Sequence, residues 1–161
     1  MGKCNQRRGL ICAITVLVAL SSMAEAACRD DAVQVKGGWG QAQFTVDVAD
    51  EPAERSQGLM HVESMAQSAG MLFVYEEPQP ARFWMKNTLI SLDMIFADET
   101  GTVQKVHENA EPLSERLING GRDIQYVLEV NGGVAGRFGI GPGDQLRHPA
   151  IEQGAAAWPC E

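Results

Sequence analysis

The sequence predicts a mainly β protein: a single compact antiparallel β-barrel or jelly-roll-like sandwich with one or two short helices. Three features predict it. Short stretches alternate apolar with polar residues, clusters of Gly, Pro, Asn and Asp separate them, and helical periodicity is confined to brief pieces. With 161 residues, 45% of them apolar, and neither an internal repeat nor a low-complexity tract, the composition fits one globular domain.

The elements follow in chain order. Ala32–Lys36 is a short strand, broken by Gly37 and Gly38 from Gln41–Val48, where Ala42, Phe44, Val46 and Val48 alternate with polar neighbours. Asp50 is placed to cap a short helix with Pro52 in its first turn, Glu51 and Glu54 near its positive end, and Gly58 to stop it. Met71–Tyr75, Arg82–Met85, Leu92–Asp98, Thr102–Glu108 and Tyr126–Asn131 are rich in β-branched or aromatic residues and read as strands. Asp98-Glu99-Thr100-Gly101 is a hairpin loop between two of them. Glu108–Asp123 is the longest irregular stretch. A helical turn is expected over Val134–Phe138, and the glycine-rich run Gly139–Gly143 is a turn leading to a last strand, Gln145–His148.

Residues 1–26 are expected to be a secretory signal peptide. Lys3, Arg7 and Arg8 precede the apolar run Gly9–Leu20, which ends in Ala24-Glu25-Ala26. The run is too short to cross a bilayer, so no transmembrane segment remains after its removal, and residues 27–161 form the exported periplasmic or extracellular domain. Arg7-Arg8 leaves open export by the twin-arginine route as well as ordinary secretion. Of four cysteines, Cys4 and Cys12 fall in the signal, and Cys28 and Cys160 remain, one near each end of the domain. In an oxidising compartment these two most simply pair in a disulfide that staples the termini. The competing reading is a lipid-modified Cys28, against which Glu25 stands where a large apolar residue is usual.

The formal charge of -8 argues against nucleic acid as a partner, since no Lys/Arg run offsets the repulsion of a phosphate backbone. Removing the signal takes away Lys3, Arg7, Arg8 and Glu25 and leaves the rest more acidic still. No Gly-x-Ser-x-Gly, His-Glu-x-x-His or phosphate loop is present, and no cofactor is expected. Methionines and histidines are plentiful enough for copper chemistry, but Met60, Met65, Met71, Met85 and Met94 with His61, His107 and His148 lack a ligand spacing. Core packing accounts for most of them, and no metal site is assigned.

Site candidates cluster around Arg82-Phe83-Trp84-Met85-Lys86-Asn87-Thr88. On the next strand, alternation separates Leu92, Met94 and Phe96 from Asp93 and Ile95; in the later strand, Glu129 shares a face with Val127. An isolated charge on such a face costs several kcal/mol of desolvation unless paired. Lys86, Asp93 and Glu129 are therefore expected to converge beside Phe83 and Trp84, either as a polar-ligand pocket or as a structural ion-pair network. Arg55 is a candidate anion clamp whose alternative is an ordinary surface ion pair.

The run of motifs Glu54-Arg55-x-x-Gly58-Leu59-Met60, Gly70-Met71-Leu72-Phe73-Val74, Phe83-Trp84-Met85-Lys86-Asn87-Thr88, Leu92-Asp93, Tyr126-Val127-Leu128-Glu129 and Gly139-Ile140-x-x-Gly143-Asp144 resembles domain-of-unknown-function family 192 over about residues 33–148. The resemblance implies a compact β-barrel or sandwich with a short helix, often exported, and carries no established activity. It places Arg55, Trp84, Lys86, Asn87, Asp93 and Glu129 on the family's motif positions. Val62 stands where an Arg is usual and Ser91 where a Pro is usual, which puts an anion held by that Arg in doubt here. The expected role is a binding or accessory module of the cell envelope for a small polar molecule, glycan or peptide. Two alternatives stand beside it: a hydrolase using Asp93 or Glu129 as acid or base with Lys86, and a structural or interaction protein docking on another envelope protein.

Overall fold

The computed structural model describes residues 27–160; the expected signal segment lies outside them. Seven strands and two short helices follow one another as β1 (Ala32–Gly37), β2 (Gly40–Ala49), α1 (Pro52–Gln57), β3 (Ala69–Phe83), β4 (Leu92–Ala97), β5 (Val103–Ala110), β6 (Ile118–Asn131), α2 (Val134–Phe138) and β7 (Gln145–Arg147). They form one sheet in the order β5-β4-β6-β3-β2-β1-β7, curled into a half-barrel. Near one end the curl brings its two edges together: Val103 N–H donates to the Asp144 carbonyl, and Leu146 N–H to that of Gly101, both at 2.8 Å.

The expectation of a β-rich unit with short helices holds, with one difference in direction. All neighbours pair antiparallel except β2 and β3, which run parallel with Thr45 opposite Ala69 and Ala49 opposite Phe73. Alternation of apolar residues carries no information on strand direction. The residues 50–68 between these strands provide the long crossover that a parallel pair requires, with α1 as part of it.

Three boundaries also differ from the sequence expectation. Met71–Tyr75 and Arg82–Met85 belong to one strand, β3, whose register against β6 shifts between Val74 and Arg82. Pro78 and Pro80 lie in that irregular stretch, where their missing N–H groups break no regular ladder. The N-cap of α1 is Glu51 rather than Asp50, its backbone N–H held by the Glu54 carboxylate at 3.2 Å. The irregular stretch narrows to residues 111–117, because β5 runs on to Ala110 and β6 begins at Ile118.

Apolar side chains gather on both faces of the central strands. Val33, Val35, Phe44, Leu72, Ile95, Leu128, Val130 and Leu146 fill one cluster, drawn from β1 to β7. Phe73, Met85, Leu92, Met94, Phe96 and Val127 fill the other, beneath α1 and the segment after β3. All six residues of β4 are consequently buried, and any acid placed there is buried with them.

Cys28 and Cys160 are joined by a disulfide across 132 residues of sequence. Beside it Trp158 is buried under Lys36 and Arg147, whose cationic groups lie 4.3 and 5.2 Å from its ring. Among the described residues no helix is long and apolar enough to cross a membrane.

Candidate functional site

A cavity of about 380 Å³ opens on the outer side of the sheet, between α1, β3, β6 and the segment after β3. Its buried end is Glu129, only 4% exposed. The register explains the position: Glu129 lies opposite Met94 on β4 and Met71 on β3, so it shares the face of Val127, Phe73 and Phe96. No hydrogen bond or ion pair reaches its carboxyl among the described residues. Burial alone pushes it up to about 8, and it is mostly protonated at neutral pH.

Phe73, Tyr75, Phe83 and Trp84 line the cavity. Phe83 stacks edge-on against both Phe73 and Phe96, with ring centres 5.2 and 5.7 Å apart, which fixes its orientation. Trp84 is 44% exposed and forms the rim with Leu117. Burial pushes the Tyr75 phenol up, against the pull of Arg55, whose guanidinium carbon lies 5.2 Å from the Tyr75 ring.

Arg55 and Arg82 supply the lining cations, in different states. Arg55 donates to the carbonyls of Asp50 and Val74 and to the Glu76 carboxylate, the last two at 2.9 and 3.0 Å. It thereby ties α1 to β3 and stiffens one wall. Arg82 is exposed and makes no side-chain hydrogen bond or ion pair among the described residues. Gly58 ends α1 with φ +49°, and a β-carbon there would come within 3.1 Å of the Phe73 ring, so glycine lets the helix end close over the cavity.

Of the six candidates on the family motifs, Arg55, Trp84 and Glu129 line this cavity. Lys86, Asn87 and Asp93 do not. Lys86 holds its ammonium 5.2 Å from the Trp84 ring centre, outside the cavity. Asn87 has φ +56° and links two loops: its carbonyl accepts from His61 N–H at 2.8 Å, and its amide approaches the Met60 sulfur at 3.8 Å.

Asp93 corrects the expectation of a convergent triad. It pairs with Val130, one residue out of step with the Glu129–Met94 pair, and so lies on the opposite face of the sheet. There it accepts backbone N–H groups from Asn109 at 2.7 Å, Gly133 at 3.0 Å and Ala135 at 2.7 Å. A register shift between β4 and β5 frees the Asn109 N–H, and Gly133 with φ +81° turns the start of α2 toward the carboxylate. Asp93 is a fully occupied bracket between β5, β4 and α2. Parity within each strand was legible; the relative register of the two strands was not.

Sequence reasoning gave no site role to Tyr75, Phe73, Met60 or Leu117, and none to Arg82 beyond its place at the head of the Arg82–Thr88 run. Their common feature is that segments distant in sequence bring them to the cavity that holds Glu129, for which a linear pattern holds no signal. Among the described residues no three His, Cys, Asp or Glu side chains converge as a metal ligand set.

The model of the DUF192 family, described as an uncharacterized ACR, matches residues 33–148. The chain belongs to DUF192. Among the solved structures that resemble it are two with 38% and 40% identity. One is a protein of unknown function from Novosphingobium aromaticivorans, 38% identical with a TM-score of 0.70, covering 71% of this chain and 82% of its own. The other is a "putative transcription regulator" from Sinorhizobium meliloti, 40% identical with a TM-score of 0.73, covering 79% of this chain and 99% of its own. No curated protein matches the chain.

Proposed function

We propose that this DUF192 member is an exported binding module whose cavity beside Glu129 receives a small molecule combining a polar group with an apolar body. The observation that carries this is Glu129 itself: a carboxyl buried without a partner, facing open space between aromatic walls. A group so desolvated is unfavourable for folding and gains most from a ligand that hydrogen-bonds to it. The apolar leader-like run in residues 9–20 and the Cys28–Cys160 bridge support export.

The hydrolase alternative loses its acid–base pair, because Asp93 lies across the sheet with its oxygens occupied. Regulation, the role attributed to the Sinorhizobium relative, is compatible with ligand sensing. Direct contact with DNA is disfavoured by a charge of -8.

The test is a thermal-shift screen of the purified protein against sugars, amino acids and short peptides, since a ligand of the folded state raises the melting temperature with concentration. The expected result is a class of compounds whose shift disappears in Glu129→Leu and in Trp84→Ala but persists in Lys86→Ala. Shifts that survive both cavity substitutions would place binding elsewhere and overturn the proposal.

A further inference from the structure

The chemistry of the cavity, if it is the binding site proposed above, narrows the ligand class. Its two ends differ. The open end carries Arg82, a guanidinium that is exposed and makes no bond to another side chain among the described residues. The buried end carries the Glu129 carboxyl, also without a partner. Arg55, the remaining lining cation, is committed to Asp50, Val74 and Glu76. With Glu129 held mostly neutral by burial, the lining carries net positive charge at pH 7, on a chain whose overall charge is -8. Such a local reversal selects an anion, and the planar fork of an arginine fits a carboxylate. The aromatic side chains of Phe83 and Trp84 in the lining favour a ring. A volume of about 380 Å³ is at the small end of ligand cavities and suits about one ring with its substituents.

We infer that the cavity takes a small hydroxylated aromatic acid. Its carboxylate pairs with Arg82 at the open end, its ring packs on Phe83 and Trp84, and its hydroxyl hydrogen-bonds to Glu129 at the buried end. The acid belongs at the rim because a carboxylate carried to the buried end would lose its hydration. A hydroxyl suits that end because it can both donate to and accept from a carboxyl group.

The experiment is calorimetric titration at pH 6.5 with 4-hydroxybenzoate, benzoate, methyl 4-hydroxybenzoate and glucose, on the wild type, Arg82→Gln and Glu129→Leu. In the wild type, 4-hydroxybenzoate binds one to one, and both the methyl ester and benzoate bind about tenfold more weakly. Arg82→Gln erases the difference between acid and ester but keeps that between hydroxybenzoate and benzoate; Glu129→Leu does the reverse. Arg82 is exposed, so its variant tests recognition rather than folding. Equal wild-type affinity for acid and ester, or an acid preference that survives Arg82→Gln, would overturn the inference. Glucose binding that depends on Glu129, with no binding of the acids, would overturn it while leaving the binding-module proposal standing. If none of these probes bound and the wider thermal-shift screen also gave no Glu129-dependent ligand, both would fall.

Discussion

Asp93 and Glu129 are two acids buried on neighbouring strands of one sheet, and their surroundings are opposite. Asp93, fully buried, receives three backbone N–H groups from β5 and from the start of α2. Glu129, 4% exposed, receives none and faces a cavity. One residue of register separates them, enough to put one in the crossing point of three elements and the other in open space. Burial of a carboxylate therefore says little about its role until its donors are counted. An acid with every oxygen engaged holds the fold together, whereas one left without donors sits in the fold at a cost and is available to a ligand.

The largest effect that would break this comparison is expected at Asp93. Asp93→Ala removes the acceptor of three buried N–H groups and should destabilise the protein by about 5 kcal/mol in chemical denaturation. A loss below about 1 kcal/mol would mean that water replaces the carboxylate and that Asp93 is no bracket.

Glu129 should behave in the opposite sense and with a pH signature. Its carboxyl titrates at 4.5 in an ordinary setting and at about 8 in the folded protein. Between these values the folded state keeps a proton that the unfolded chain has released, so stability falls as pH rises from about 4.5 to about 8 and levels off above. The gap sets a ceiling of about 5 kcal/mol, lowered by water entering the cavity to about 3 kcal/mol. Glu129→Gln should remove this decline, matching the wild type near pH 4 and exceeding it near pH 9. His148, pushed down by burial, contributes in the other direction: its share is present above about 6.5 and lost as pH falls below, and the variant should retain that slope. Denaturation curves at several pH values measure both; parallel profiles for wild type and variant would remove Glu129 from the role given to it.

The smallest effect is expected at Lys86. With its ammonium over Trp84 outside the cavity, Lys86→Ala should change stability by less than about 1 kcal/mol. A larger loss would show that the rim depends on this cation and that the cavity extends further than Trp84.

Much of this contrast was legible in the sequence. Alternation placed Asp93 and Glu129 on apolar faces, and the motif residues marked Arg55 and Trp84 as belonging with Glu129. What failed was convergence. Lys86 was assigned to the site as a cation able to pair with the two acids, yet it stands two residues beyond Trp84, with its ammonium 5.2 Å from the indole centre and outside the cavity lining. Arg82, two residues before Trp84, proved the unengaged cation at the cavity. Asp93 was drawn toward Glu129 by chemistry alone, whereas the ladder between β4 and β6 aligned it with Val130.

The β-rich class, most strand positions, the two short helices and the burial of both acids could be read from the residues alone, because each depends on side-chain period and turn chemistry within about ten residues. The parallel pairing of β2 with β3, the opposite faces of Asp93 and Glu129, and the cavity closed by α1 emerged with the assembled sheet. These depend on how distant strands align, and a shift of one residue reverses every face while leaving the local pattern unchanged.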